Sequence, residues 1–237
     1  MKQQFLLLAL AVLPFGIASA QSPKPATHQD KDLFNLFLRL KKADSVSYTS
    51  EMAYYDVQKP KQVYRVKSIN YRSNNPVVVY SKSSEQIFYL AHNGLFKLSD
   101  ADKTVWYKVF ANDSEYNYYT KLYAPATDPY KDSTFWATAI IAKKTLTKKY
   151  SHYQLSFKHP QMKGMSLSVP ANAILPDSIS YAMENYFNDD KSLLMRQEVK
   201  AFNYKTEIPE ELKTLLAQYD LLGFMQKEFK AYKIIKF

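Results

Sequence analysis

The side chains able to do chemistry are few and scattered. Four histidines occur, at His28, His92, His152 and His159. His92 falls in a His-Asn-Gly turn. His152 and His159 lie along one extended stretch and the turn after it, where a rise of about 3.3 Å per residue carries them too far apart to share a metal. The carboxylate pairs Asp100 with Asp102 and Asp189 with Asp190 fall in turns, which aspartate favours because its side chain bonds nearby amides. Glu210-Glu211 stand in the first turn of a helix, where the dipole favours them. A glycosidase needs two carboxylates facing across a cleft, and none of these pairs identifies itself as one. No serine sits in a Gly-x-Ser-x-Gly elbow. The four glycines, Gly16, Gly94, Gly164 and Gly223, cannot build a phosphate-cradling loop. The absence of cysteine removes disulfides, thiolate metal sites and cysteine nucleophiles together. The expectation is a protein without catalytic machinery, metal or cofactor.

What stands out instead is aromatic content: 20 Tyr, 14 Phe and 2 Trp. Aromatics fill half-buried sheet faces well. They also line concave surfaces for apolar or sugar-like ligands. Both readings need strands to carry the rings, and the chain is rich in strand signals.

Asp30 to Lys42 reads as a helix, with Leu33, Leu36, Phe37 and Leu40 at i, i+3, i+4 and i+7 on one face. Asp30 and Asp32 suit its N-terminal end, and Arg39, Lys41 and Lys42 its C-terminal end. Strand texture starts after Asp44 and continues through Val63–Arg72, Val77–Lys82, Gln86–Ala91, Leu95–Leu98 and Thr104–Phe110. Lys59-Pro60-Lys61 reads as a turn, and Asn93-Gly94 closes a hairpin, because this pair accepts the left-handed backbone such turns require. Residues 111–144 read as an excursion across one face of the sheet, with a short helix expected at Phe135–Ala142. Strands resume at Tyr150–Lys158, Met165–Val169, Ile179–Phe187 and Leu193–Phe202. Pro209–Tyr219 is expected to be helical with proline in its first turn, and Gln226–Phe237 reads as a final strand. Turns every eight to twelve residues indicate an antiparallel sheet or barrel. No repeat or linker divides the chain, so 30–237 is expected to be a single domain.

Residues 1–20 have the three parts of a secretory signal: Lys2, an apolar run from Phe5 to Leu13, and Ala18-Ser19-Ala20 at the cut. The run falls short of the roughly 20 apolar residues that span a bilayer. Gln21 at the first mature position rules out lipid attachment there, and residues 21–29 read as a flexible leader. Export without cysteine suits a bacterial periplasm. The formal net charge of +10 is spread along the chain, with Lys143-Lys144 and Lys148-Lys149 its densest groups. Dispersed charge reads as a solvated surface, and no nucleic-acid partner is expected.

Two stretches resemble a known family. Ser83 to Val105, Ser-Ser-Glu-Gln-Ile-Phe-Tyr-Leu-Ala-His-Asn-Gly-Leu-Phe-Lys-Leu-Ser-Asp-Ala-Asp-Lys-Thr-Val, is similar to the strand, Asp-Gly turn, strand, Asp-rich turn, strand run of the LolA/LolB-like periplasmic lipoprotein carriers. Ile174-Leu175-Pro176-Asp177-Ser178-Ile179, followed by two long strands and Ile208-Pro209, resembles their later segment. The basic-Pro strand of that family is reduced here to Tyr71-Arg72 before Asn74-Asn75-Pro76-Val77. The resemblance implies a mainly β fold: a strongly curved antiparallel sheet, an unclosed β-barrel, with an N-terminal helix and short helices over its concave face. It implies a monomeric periplasmic carrier for an apolar ligand such as a lipid or lipoprotein acyl chain, meeting a membrane or an envelope protein transiently. Leu33, Phe34, Phe37 and Leu40 would then form a lid or plug, and Tyr48, Tyr64, Phe88 and Trp106 would line the hollow. A non-catalytic envelope module with a filled core, and a secreted carbohydrate-binding or hydrolytic protein, are the alternatives.

Overall fold

The computed structural model of the chain describes residues 30–56, 63–123, 139–158, 162–171, 173, 175–186 and 193–237. The signal and leader readings, and the Lys59-Pro60-Lys61 turn, lie outside the described residues. The first element is a helix, α1 (Lys31–Lys42). Six strands follow: β1 (Ser45–Asp56), β2 (Val63–Asn74), β3 (Val77–Lys82), β4 (Gln86–Ala91), β5 (Gly94–Ser99) and β6 (Thr104–Lys108). After α2 (Asp113–Tyr123) come β7 (Ala139–Leu146), β8 (Tyr150–Phe157), β9 (Met162–Pro170), β10 (Ser178–Tyr186) and β11 (Leu193–Lys205). The chain ends in α3 (Glu210–Leu216), α4 (Leu221–Glu228) and β12 (Lys233–Lys236).

All the strands join one curved 12-stranded sheet in the order β12-β6-β5-β4-β3-β2-β1-β11-β10-β9-β8-β7. Because β12 and β7 are its two edges, the barrel is unclosed. Every pairing is antiparallel except that of β12 with β6. The predicted fold class therefore stands, and the long β1–β2 and β1–β11 pairings form its spine.

Strand alternation divides the side chains between two faces. The inner face is the one that α1 and α2 cover. Asp30 starts α1 by accepting from the amides of Asp32 and Leu33, each at 3.0 Å. Leu33 and Leu36 then bury into Tyr153, Leu155, Met165, Leu167 and Ile179. Further along the same face, α2 sets Tyr119 and Tyr123 over Val79, Leu90 and Leu95. At about 1.5–3 kcal/mol for each large apolar side chain fully buried, Leu33 and Leu36 fix α1 far more strongly than propensity could.

The outer face of β2–β6 carries a transverse aromatic row. Tyr71, Tyr80, Tyr89, Phe96 and Tyr107 are direct cross-strand partners, and the rings of Tyr89 and Phe96 stack at 5.2 Å. α3 and α4 seal this row with Leu212, Leu215, Leu221 and Met225. The Asn93-Gly94 turn is tied into the same core. Asn93 accepts from the Tyr89 hydroxyl and donates to the carbonyls of Leu215 and Gln218. Gly94 has φ +150°, and a Cβ there would lie 2.7 Å from the Lys108 carbonyl oxygen. Glycine is therefore required by space as well as by conformation.

Three expectations are corrected. The short helix expected at Phe135–Ala142 is strand from Ala139 onward, where β-branched Ile140 and Ile141 open β7; 135–138 lie outside the described residues. The helix of the excursion is α2 instead, built from residues whose rings suggest strand. The tail is not strand from Gln226: α4 runs to Glu228, because Asp220 caps it through the Gly223 amide and Leu221 with Met225 anchor one face. The C-terminal helix that was expected to reach Tyr219 ends at Leu216.

Candidate functional site

Register shows which distant residues become neighbours on the inner face. One transverse row joins Leu155, Met165, Tyr181, Val199, Met52 and Val66 across β8, β9, β10, β11, β1 and β2. The next row toward the sheet's end joins Met162, Met183, Gln197, Tyr54 and Tyr64. The β8–β9 end of this strip is sealed under α1: Leu155 and Met165 are 4% and 3% exposed. Toward β1 and β2 the cover thins. Met52, Tyr54, Val66, Tyr181 and Met183 are half-buried, and Tyr64 is 41% exposed.

The strip is apolar and adaptable. Methionine is unbranched and polarizable and moulds to varied partners. The Met52 thioether accepts from the Tyr54 hydroxyl at 3.3 Å and from the Gln197 amide at 3.8 Å. The rings of Tyr54 and Tyr64 lie 6.1 Å apart. Burial raises the Tyr54 hydroxyl pKa. Burial, and then a hydrogen bond to the Glu85 carboxylate, push that of Tyr64 up to about 12. Both stay neutral donors at physiological pH.

The residues singled out from the sequence fall in three places. Leu33 is fully buried core under α1. The side chains of Phe34, Phe37 and Leu40 lie outside the described residues. Tyr48, Phe88 and Trp106 share the inner face and one transverse row, separated by Asn70, Ser81 and Lys97. Tyr48 stacks on Tyr204 at 5.3 Å. An extra residue in β11 beside Asn203 (φ 57°) turns Tyr204 to that face. Phe88 packs on Tyr123 at 5.4 Å, and Trp106 lies at the β12 edge, 40% exposed. Tyr64 sits apart from this row, in the methionine strip. The polar members are linked: Asn70 donates to Ser50 and accepts from Ser81, both at 2.9 Å. Burial holds the Lys97 ammonium below the usual lysine range, partly offset by Asp102.

Sequence reasoning missed Met52, Met165 and Met183. Their alternation within strands was visible, but their place in adjoining rows of one face depends on pairing between distant segments.

The opposite face of the same strands carries a groove of about 920 Å³ whose lining includes Glu51, Lys67, Ser166, Ser180, Glu198 and Lys200. Its floor is small, at Ala53, Gly164 and Ala182. Tyr55 donates to Glu198 at 2.9 Å, and Lys67 pairs with Glu51 at 3.6 Å. Charged side chains and small apolar ones thus share an open, mixed lining. Among the described residues, no group of three or more His, Asp or Glu side chains could hold a metal ion. His92 is exposed in its turn, and His152 stacks on Tyr150 at the outer surface.

An unclosed antiparallel sheet with helices packed on an apolar inner face is the architecture of the molecule, and solved structures of similar design exist. The chain is similar to an uncharacterized conserved protein from Thermus thermophilus at 6% identity and TM-score 0.44, covering 88% of this chain and 100% of that one. It is similar to a LolA superfamily protein from Nitrosomonas europaea at 7% identity and TM-score 0.32, covering 80% and 97%. It is also similar to an outer membrane lipoprotein-sorting protein domain from Vibrio parahaemolyticus at 10% identity and TM-score 0.30, covering 78% and 98%. No protein-family model matches the chain, and no curated protein matches it significantly. At these scores function has to be read from the site itself.

Proposed function

We propose that the chain is an exported, non-catalytic binding protein of the periplasm that carries an apolar ligand, a lipid or lipoprotein acyl chain, on the inner face of its sheet. The observation that carries this reading is the half-buried strip of Met52, Tyr54, Val66, Tyr181 and Met183. Polar side chains normally occupy positions that water reaches; here apolar and amphipathic ones do, on the face that the helices leave partly uncovered. Burying an acyl chain there would contribute about 0.8 kcal/mol per methylene. Ten buried methylenes would give about 8 kcal/mol, the range of micromolar affinity.

Burial of Leu33 and Leu36 at 0% and 1% exposure supports a filled core beneath the first turns of α1. The ligand-contacting part of the hollow is then the β1–β2–β11 side, with Tyr64 at its mouth and Tyr48, Phe88 and Trp106 along its other wall. The mature chain starts at Gln21, folds over 30–237 as one domain, works as a monomer and takes no cofactor or nucleic acid. Native mass spectrometry of the gently purified protein tests the reading. A mature mass carrying an acyl lipid is the expected result. A ligand-free mass that stays unchanged after incubation with phospholipid contradicts it.

A further inference from the structure

Four large apolar side chains left open to solvent gather where β6, β12 and α2 meet. Trp106 is 40% exposed, Tyr118 63%, Leu122 43% and Phe237 50%. Trp106 and Phe237 pack at 6.0 Å, on the face of the sheet that α2 covers. Glu115, Tyr118 and Leu122 share one stripe of α2 at i, i+3 and i+7. Glu115 is fixed to Lys108 of β6 at 2.9 Å, so the stripe lies toward β6, and contact of Tyr123 with Phe88 brings the helix end over the row containing Trp106. The exposed rings and Leu122 thus form one surface.

Its rim is basic. Lys121, Lys233 and Lys236 are exposed, and none of them is in an ion pair among the described residues. The acids beside them are largely committed: Glu115 to Lys108, and Asp100 to Lys103. Asp102 accepts from Ser99, and Asp113 stands at the start of α2. Aromatic rings flanked by exposed lysines, of which Lys236 also acts electrostatically on Glu115, are suited to a bilayer interface, where Trp and Tyr settle at headgroup depth and cations meet anionic lipid. We propose that this surface docks the protein on an anionic membrane, with Trp106 and Phe237 entering the interface and Lys121, Lys233 and Lys236 meeting lipid phosphates. The proposal goes beyond ligand carriage and does not depend on what the strip of methionines holds.

Co-sedimentation with vesicles tests it, using phosphatidylcholine alone and phosphatidylcholine with about one-third phosphatidylglycerol. Binding to the anionic vesicles only, weakened by added salt, is expected. Phe237→Ser with Trp106→Ser, and separately Lys233→Gln with Lys236→Gln, should each weaken it by about tenfold or more. Tyr118→Ser with Leu122→Ser, on the open side of α2, provides a variant whose folding is not at stake and should weaken binding likewise. In a Trp136→Phe background, brominated lipid should quench Trp106. No binding to anionic vesicles, or binding unchanged in folded patch variants, would overturn the proposal.

Discussion

Asp30 does two jobs at once for Lys144: its carboxylate caps α1 and also accepts from the Lys144 ammonium on the edge strand β7. The same ammonium lies 5.3 Å over the Tyr153 ring, and the Tyr153 hydroxyl donates to Asp30 at 3.4 Å. One buried carboxylate therefore starts the helix that covers the inner face and latches it to the sheet.

Replacing Asp30 separates these roles. Asp30→Ala removes cap and latch and should cost about 1–2 kcal/mol or more. Asp30→Asn keeps an oxygen for the Leu33 amide and should cost less. Urea midpoints measure the ranking, and hydrogen exchange in α1 should rise more in the alanine variant. Equal losses would mean that the latch, not the cap, carries the effect.

The latch has a pH window. Burial raises the Asp30 carboxyl pKa, but the Lys144 hydrogen bond and the Leu33 and Asp32 amides together outweigh it and hold it below 3.8. A depressed carboxylate contributes stability that is complete above the unfolded value and lost as pH falls through the folded one. The hydrogen bond to Asp30 raises Lys144 above 10.5, so its contribution is complete below that value and lost at higher pH. Exchange protection of α1 should therefore stay flat from neutral pH down to about pH 4 and fall below it. A loss between pH 7 and pH 5 that Asp30→Asn abolishes would contradict this assignment.

The aromatic row of the outer face should dominate global stability. Phe96 is 0% exposed and touches Tyr89 and Phe229. Phe96→Ala should cost about 3–5 kcal/mol, read from the thermal midpoint. A loss under about 1 kcal/mol would show that α3 and α4 collapse into the space.

Much of this framework is legible in the sequence, and the limits have physical causes. Asn93-Gly94 marks its hairpin because a positive φ and a crowded Cβ position leave little choice. Leu33 and Leu36 mark the buried face of α1 because helical period is local. By contrast, α2 hides behind Tyr116, Tyr118, Tyr119 and Tyr123, whose intrinsic preference is for strands; packing against Phe110 and Phe88 overrides it. The methionine strip is invisible for another reason. Met52, Met165 and Met183 share one face only through the β1–β11–β10–β9 register, and a one-residue slip would send each to the other face. The bulge at Asn203, which returns Tyr204 to Tyr48, has no sequence signal beyond one asparagine.

The carrier reading turns on the inner strip, and titration with an acyl-chain fluorophore tests it most directly. Met183 and Ser180 lie on β10 but face opposite sides of the sheet, so they make a matched pair. The wild-type protein should bind saturably with about micromolar affinity, Met183→Glu should weaken binding by about tenfold or more, and Ser180→Glu should leave it unchanged. No saturable binding by the wild type, or equal weakening by both substitutions, would contradict an apolar ligand site on the inner face.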